Sequence, residues 1–155
     1  MAYLVLKYLH VIGATVLLGT GAGIAFFMLR AHRSGDARTI AAVAKIVVLA
    51  DFLFTTTAVV AQPITGVLLA REAGYSLDEG WIVASVTLYL LIGLFWLPVV
   101  WMQLRLRDLA RRTAEEGGAL PAEYHRLWRW WFACGVPAFA AVLVIIWMMV
   151  AKPNL

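Results

Sequence analysis

Charged residues and cysteines are scarce in this 155-residue sequence. Only 14% of the residues are charged, whereas charged residues make up about a quarter of a typical soluble domain. With 63% hydrophobic residues and a mean hydropathy of +0.85, the composition excludes a water-soluble globular protein. The single cysteine, Cys134, excludes an internal disulfide and a multi-cysteine metal site. Covalent c-type haem is also excluded, because the sequence has no C-x-x-C-H motif.

Acidic residues are few as well, with 9 Asp and Glu against 13 Lys and Arg. The resulting pI of about 9.6 could indicate nucleic-acid binding. Most of the basic residues, however, lie at the ends of apolar segments, where membrane topology accounts for them. We therefore predict a lipid bilayer as a partner, and no nucleic acid.

Long apolar segments dominate what is present. The first, residues 3–29, exceeds the roughly 20 residues that span a bilayer, and no small-residue cleavage site follows it, so we predict a retained transmembrane helix. Three further segments have similar character. The sequence predicts an all-α, up-and-down, four-helix transmembrane bundle forming a single integral membrane domain over residues 1–155. The predicted helices cover residues 3–29, 40–70, 81–104 with an extension into water to about 114, and 127–151.

The basic residues are unevenly distributed between the two ends of this bundle. Ten of the 13 flank the first and third connections: Arg30, Arg33, Arg38, Lys45, Arg105, Arg107, Arg111, Arg112, Arg126 and Arg129. We call this the basic end, and the end with both termini and residues 71–80 the terminal end. Because cytoplasmic connections carry an excess of Lys and Arg, we expect the basic end in the cytoplasm and both termini outside it. The expected location is the bacterial inner membrane, as a multi-pass protein.

Polar and small residues recur at helical spacing along one face of each segment, which predicts the bundle interior. In chain order, these residues are His10, Gly13, Leu17, Thr20 and Gly21; Asp51, Thr55, Ala58, Gln62 and Gly66; Ser85, Tyr89, Gly93, Trp96 and Gln103; and Cys134, Pro137, Ala141, Val144 and Met148. At about 1.5 Å of rise per residue, His10, Gln62, Tyr89 and Met148 fall at a similar depth. They form one predicted layer near the terminal end.

His10 is the most informative residue, because an ionisable side chain inside a membrane segment is a functional-site hypothesis by default. Bundle interiors hold haem, and His with Met or a second His is a usual axial pair. We predict His10 as a ligand of haem b iron, Met148 as a candidate second ligand and Lys7 as the partner of the propionates. Gln62 and Tyr89 complete the predicted cofactor site. The alternative is that His10 hydrogen-bonds to Gln62 or Tyr89 and binds nothing.

Helix two carries a second polar signal, Asp51 with Thr55 one turn later. These residues are candidates for proton handling, and the alternative is a protonated Asp51 that hydrogen-bonds to another helix. Further along, Pro63 should free the backbone carbonyl of Val59. Among the tryptophans, the sequence predicts an interfacial belt of Trp81, Trp128, Trp130 and Trp131, with only Trp96 and Trp101 in the interior.

The chain resembles an uncharacterised family of predicted bacterial integral membrane proteins. The resemblance rests on Lys7, Leu9 and His10, on Gln62 to Gly66, on Trp96 to Val100, on Tyr124, Arg126, Trp128, Arg129 and Trp131, and on Met148, Val150, Lys152 and Pro153. It is distantly similar to the HemJ-type protoporphyrinogen oxidase and to the membrane domain of copper-resistance protein D, which also open with a helix bearing Leu-His. The HemJ-type resemblance implies a b-type haem at His10, although Leu17 stands where those helices have Trp.

These observations favour a b-type haem protein acting in membrane electron transfer or redox chemistry, as an oxidoreductase or its haem subunit. Its partners would be a membrane redox protein or further copies of the chain. Two alternatives stay open. One is a cofactor-free packing or assembly subunit that uses the Gly19-xxx-Gly23 surface. The other is a small membrane protein that handles a metal or solute.

Overall fold

The computed structural model describes all 155 residues as helices and short connections, with no strand. The four helices are α1 (Ala2–Ser34), α2 (Ala37–Glu72), α3 (Gly80–Glu116) and α4 (Ala122–Ala151), and each is long and apolar enough to cross a membrane. The predicted all-α four-helix transmembrane bundle is therefore confirmed. The first three helices extend past the predicted spans at both ends. The fourth ends at Ala151 as predicted but begins at Ala122, inside the segment expected to be a loop.

Local sequence determines where the helices end at the basic end. Gly35 adopts a left-handed conformation with φ of 68° and terminates α1. Asp36 then caps α2, because its carboxylate accepts hydrogen bonds from the backbone amides of Arg38 and Thr39. The hydroxyl of Thr39 donates to the same carboxylate at 2.6 Å. These hydrogen bonds stabilise the charged form and hold the pKa of Asp36 below its usual value.

The second helix is irregular at two points. Residues Asp51–Thr55 form a π-helical segment between the α-helical parts Ala37–Ala50 and Thr56–Glu72. Pro63 lies inside the second part, where it has no amide hydrogen to donate to the carbonyl of Val59. Both irregularities leave backbone groups displaced from the regular hydrogen-bond ladder, and both lie among polar side chains.

All four helices pack tightly at the basic end. They share one hydrophobic core of 14 buried residues: Ile24, Met28, Ala31, Ile40, Ala44, Val47, Met102, Leu106, Leu109, Ala110, Tyr124, Leu127, Trp128 and Trp131. Nine of these residues lie within the predicted spans, and Ala31, Leu106, Leu109, Ala110 and Tyr124 lie beyond them. Residues beyond the predicted spans thus contribute to the tertiary packing as well.

Toward the terminal end, the bundle separates into two pairs of helices. The Thr56–Glu72 part of α2 stays packed on α1, while α3 stays packed on α4. No Cα atom of α3 or α4 lies within 8 Å of a Cα atom in Thr56–Glu72. The side chain of Tyr89 bridges this separation, since its hydroxyl donates a hydrogen bond to the carbonyl of Val59.

The separation of the helix pairs explains which residues predicted to face the bundle interior are buried and which are exposed. On α2, Asp51, Ala58 and Gln62 are buried. On α4, by contrast, Pro137 and Val144 are exposed, because the middle of this helix has only α3 and part of α1 beside it. That part of the interior prediction is wrong.

The tryptophan assignment is wrong for Trp101, which is 59% exposed and not interior. Trp81, Trp128 and Trp131, which the sequence predicts at the membrane interface, are buried against protein. Trp128 and Trp131 stack on each other at 5.3 Å between ring centroids, inside the core of the basic end. Interfacial position and burial against protein are separate properties, and hydropathy reports only the first.

We expect the core at the basic end to carry most of the packing stability. Truncation of Leu106, which is fully buried, should lower the free energy of unfolding in Leu106→Ala by about 2–5 kcal/mol, because it leaves a cavity. The control is Leu94→Ala on the same helix, at a position that is 68% exposed, with an expected change within about 0.5 kcal/mol. Reversible unfolding in mixed micelles measures both. Equal destabilisation of the two variants would contradict this location of the core.

Candidate functional site

A short chain of hydrogen bonds fixes the imidazole of His10. Its Nδ1 lies 2.9 Å from the hydroxyl oxygen of Thr65 on α2. That hydroxyl also lies within hydrogen-bond distance of the backbone carbonyl of Ala61, at 2.8 Å. With the hydroxyl hydrogen on that carbonyl, the oxygen accepts from Nδ1–H and Nε2 of His10 keeps a free lone pair. With the hydroxyl hydrogen on Nδ1, the ring carries its proton on Nε2 instead.

Close approach of α1 and α2 makes this contact possible. Gly66 lies against the ring, and a Cβ atom added there would stand 3.1 Å from Cε1 of His10. One turn along α1, a Cβ atom on Gly13 would stand 3.1 Å from Nε2 of Gln62. Gln62 uses that nitrogen to donate to the backbone carbonyl of His10 at 3.1 Å. Gly13 and Gly66 thus allow α1 and α2 to approach closely, and the hydrogen bonds of His10 and Gln62 fix the two helices relative to each other.

Sequence reasoning selected His10 and Gln62, and the structure brings both together. It did not select Thr65, which is the partner of the imidazole ring instead of Gln62 or Tyr89. The available signal was spacing: Thr65 follows Gln62 by three residues and precedes Gly66, so the two polar side chains lie on neighbouring positions of one helix face.

The other residues of the predicted cofactor site, Tyr89, Met148 and Lys7, do not contact His10 or Gln62 through hydrogen bonds. Tyr89 uses its hydroxyl on the carbonyl of Val59, the carbonyl freed by Pro63. Met148 is buried, and it lies on α4, which packs on part of α1 but does not approach Thr56–Glu72 of α2. Lys7 is exposed and forms no ion pair; its ammonium lies 5.6 Å from the ring centroid of Tyr3.

Asp51 belongs to a second polar group, near the π-helical segment of α2. It is 7% exposed and forms no ion pair, since the two ion pairs in the molecule join Arg105 to Glu123 and Arg107 to Asp108. The hydroxyl of Thr55 and the indole of Trp96 lie beside the Asp51 carboxyl without completing a well-formed hydrogen bond to it.

Sequence reasoning gave no role to the aromatic cluster around His32. The ring of His32 stacks on Trp128 with 4.1 Å between centroids, and its Nδ1 lies 3.2 Å from the hydroxyl of Tyr124. His125 approaches edge-on. These contacts join α1 to α4 at the basic end. No group of three or more His, Cys, Asp or Glu side chains in the molecule is arranged to hold a metal ion.

Comparison with known proteins identifies the family. Residues 4–153 match the family described as "Predicted integral membrane protein (DUF2269)", and because the match covers nearly the whole chain, the protein belongs to this family. The predicted resemblance to an uncharacterised membrane-protein family is confirmed. No curated protein and no solved structure shows a significant match.

We expect Thr65 to control the tautomer of His10. In Thr65→Val the acceptor for Nδ1–H is lost, so the imidazole should change toward the Nε2-protonated form that free histidine favours. Nitrogen-15 spectra of histidine-labelled protein, recorded without added cofactor, distinguish the two tautomers. Thr15→Val is the matched control, because the Thr15 hydroxyl bonds only to a carbonyl of its own helix. A wild-type His10 already protonated at Nε2 would contradict this expectation.

Proposed function

We propose that this member of the predicted integral membrane protein family binds a b-type haem through His10 and serves membrane electron transfer or redox chemistry. The expected setting is the bacterial inner membrane, with the basic end in the cytoplasm. Haem supplies a centre that accepts and returns one electron. The residues of the chain would hold that centre and set the orientation of its ligand.

The observation that carries the proposal is the hydrogen-bond chain from His10 to Thr65 to the carbonyl of Ala61. Metal-ligating histidines almost always donate their second ring nitrogen to a fixed acceptor, which sets the tautomer and the ring orientation. The proposal requires the arrangement in which Nδ1–H of His10 donates to Thr65 and the lone pair is left on Nε2. A histidine serving only as a link between helices would not require this polarity.

The surroundings of His10 fit a flat ligand. The side chain is partly exposed, so the ring is not enclosed by protein on every side. Gly66 presents no side chain to it, and α3 stands away from this part of α2. The carboxamide nitrogen of Gln62 and the hydroxyl of Tyr89 already donate hydrogen bonds to backbone carbonyls. We therefore assign them to positioning the helices around the site rather than to binding the haem.

Charge supports Lys7 as the partner for the haem propionates. It precedes His10 by one turn on the same face of α1, is exposed and has no carboxylate partner. Lys152 is a weaker candidate for the propionates, because its ammonium already donates a hydrogen bond to the hydroxyl of Tyr75 at 2.6 Å. Met148 remains our candidate for the second axial ligand. The HemJ-type resemblance supports the same role for His10 but supplies no substrate.

A packing or assembly subunit is the second candidate function. A Cβ atom on Gly19 would meet no atom within 4 Å, and one on Gly23 would meet only Phe27 of the same helix, at 3.7 Å, so neither glycine serves packing against another helix of the chain. Small residues that face outward from a transmembrane helix allow close approach of another helix. This observation favours a partner helix along the Gly19-xxx-Gly23 surface, with or without haem.

The haem proposal predicts a spectrum. Protein purified in detergent from haem-replete cells should show a strong Soret band that shifts on reduction with dithionite, and His10→Ala should lose it. The matched control is His125→Ala, because His125 is exposed at the opposite end of the molecule and should leave the band unchanged. A colourless wild-type protein, or an intact band in His10→Ala, would overturn the proposal.

Met148 has a test of its own. If its thioether binds the iron, Met148→Leu should abolish the sulfur-to-iron charge-transfer band of the oxidised protein and lower the midpoint potential, because thioether ligation favours reduced iron. Met149→Leu is the neighbouring control and should change neither property. A charge-transfer band that survives in Met148→Leu would exclude Met148 as a ligand.

The packing candidate predicts a different result. Gly19→Leu should dissociate an oligomer in detergent, because the larger side chain blocks close helix approach, and it should leave the Soret band intact. Light scattering on size-fractionated protein measures the mass. Ala42→Leu is the control, since Ala42 is also exposed but lies on α2. A wild-type monomer would contradict the packing role of this surface.

A further inference from the structure

The π-helical segment of α2 and the middle of α3 enclose a cavity of about 280 Å³. This volume is close to the lower limit of about 300 Å³ for ligand pockets in proteins. Four of the eight lining residues carry polar groups, Asp51, Thr56, Trp96 and Gln103, and the other four are apolar. The cavity shares no residue with the His10 site, which lies between α1 and residues 61–66 of α2.

Two hydrogen-bond donors at this cavity have no partner. Gln103 is 2% exposed, and its carboxamide oxygen already accepts from the indole of Trp131 at 3.2 Å. Its nitrogen, which carries two hydrogens, is buried without a hydrogen-bond partner. The indole nitrogen of Trp96 also lacks a well-formed hydrogen bond, although the Asp51 carboxyl lies beside it. Leaving a buried donor unpaired costs about 1–3 kcal/mol, so such groups indicate a missing partner.

The chemistry of the missing partner follows from these groups. Both free groups donate, so the partner must present acceptor atoms. The Asp51 carboxyl on the same cavity disfavours an anion, and the two donors disfavour a cation. A neutral molecule with carbonyl oxygens satisfies all of these conditions. The apolar remainder of the lining, with the aromatic ring of Phe52, suits a flat, apolar ring.

Access to the cavity is from the lipid side. Phe52 lines the cavity and is 70% exposed, so this wall of the cavity reaches the surface that faces the hydrocarbon. A ligand with an apolar tail could leave that tail in the bilayer while its head group enters between α2 and α3. We propose that this cavity binds the head group of a membrane-soluble quinone, with Gln103 and Trp96 donating to its carbonyl oxygens.

The proposal concerns binding alone and does not depend on haem at His10. A test on wild-type protein and on His10→Ala separates the two ideas, because a haem-free variant keeps the cavity intact. The probe is decylubiquinone, titrated into detergent-solubilised protein whose tryptophan indole nitrogens carry nitrogen-15. The sequence has seven tryptophans, so the indole signals can be assigned by single substitutions.

We expect the indole proton of Trp96 to shift downfield with saturation, as it gains a carbonyl acceptor. The signal of Trp101 is the internal control: this residue is on the same helix and 59% exposed, so it reports quinone dissolved in the micelle. A Trp96 signal that stays in place, or one that moves without saturation in parallel with Trp101, would overturn the proposal.

Substitution gives a second, independent measurement. Trp96→Phe keeps an aromatic ring in the cavity wall but removes the indole donor and part of the ring area, so quinone affinity should fall by at least the about two- to tenfold that one hydrogen bond is worth. Trp101→Phe, which loses the same ring area outside the cavity, should leave the affinity unchanged. Unchanged affinity in Trp96→Phe would contradict the proposed role of this donor.

Discussion

The hydrogen bond from Tyr89 to the carbonyl of Val59 shows the constraint that shapes this bundle. In the hydrocarbon core no water is available, so every backbone group displaced from the helical ladder needs a partner from the protein. Pro63 creates one such group on α2, and Tyr89 on α3 supplies its partner across the separation between the helix pairs. Without this bond, an unpaired carbonyl would face the separation. The irregular second helix therefore needs the third helix even where their backbones do not pack.

The same need for hydrogen-bond partners accounts for the polar side chains around α2. The hydroxyl of Thr65 lies within hydrogen-bond distance of both the carbonyl of Ala61 and Nδ1 of His10. The π-helical segment places the buried Asp51 next to the cavity that Gln103 and Trp96 also line. The two parts of α2 have different neighbours: Thr56–Glu72 packs on α1, and Ala37–Ala50 packs on both α1 and α3. One helix thus supports two separate polar sites.

Sequence patterns predicted the parts of the structure that depend on composition and on local chemistry. Apolar length predicted four transmembrane helices, and the position of Pro63 predicted the freed carbonyl. Helical spacing identified the polar face of α2 correctly, because that face is buried along most of its length. The same rule failed on α4, since Val144 and Pro137 would be interior only in a bundle whose helices stay together. Periodicity describes a single helix and carries no information about its distance from the others.

The two sites differ in what sequence could reveal. His10 was identifiable because an ionisable side chain in an apolar helix is conspicuous, but its tautomer depends on Thr65, fifty-five positions away. Gln103 was placed on an interior face, yet its free donor is defined only by the orientation that Trp131 imposes on the carboxamide. In both cases one hydrogen bond occupies one end of a bifunctional side chain and thereby determines what the other end can do. A lone pair remains at His10 and a donor remains at Gln103, so the first suits an electrophilic metal centre and the second a carbonyl oxygen.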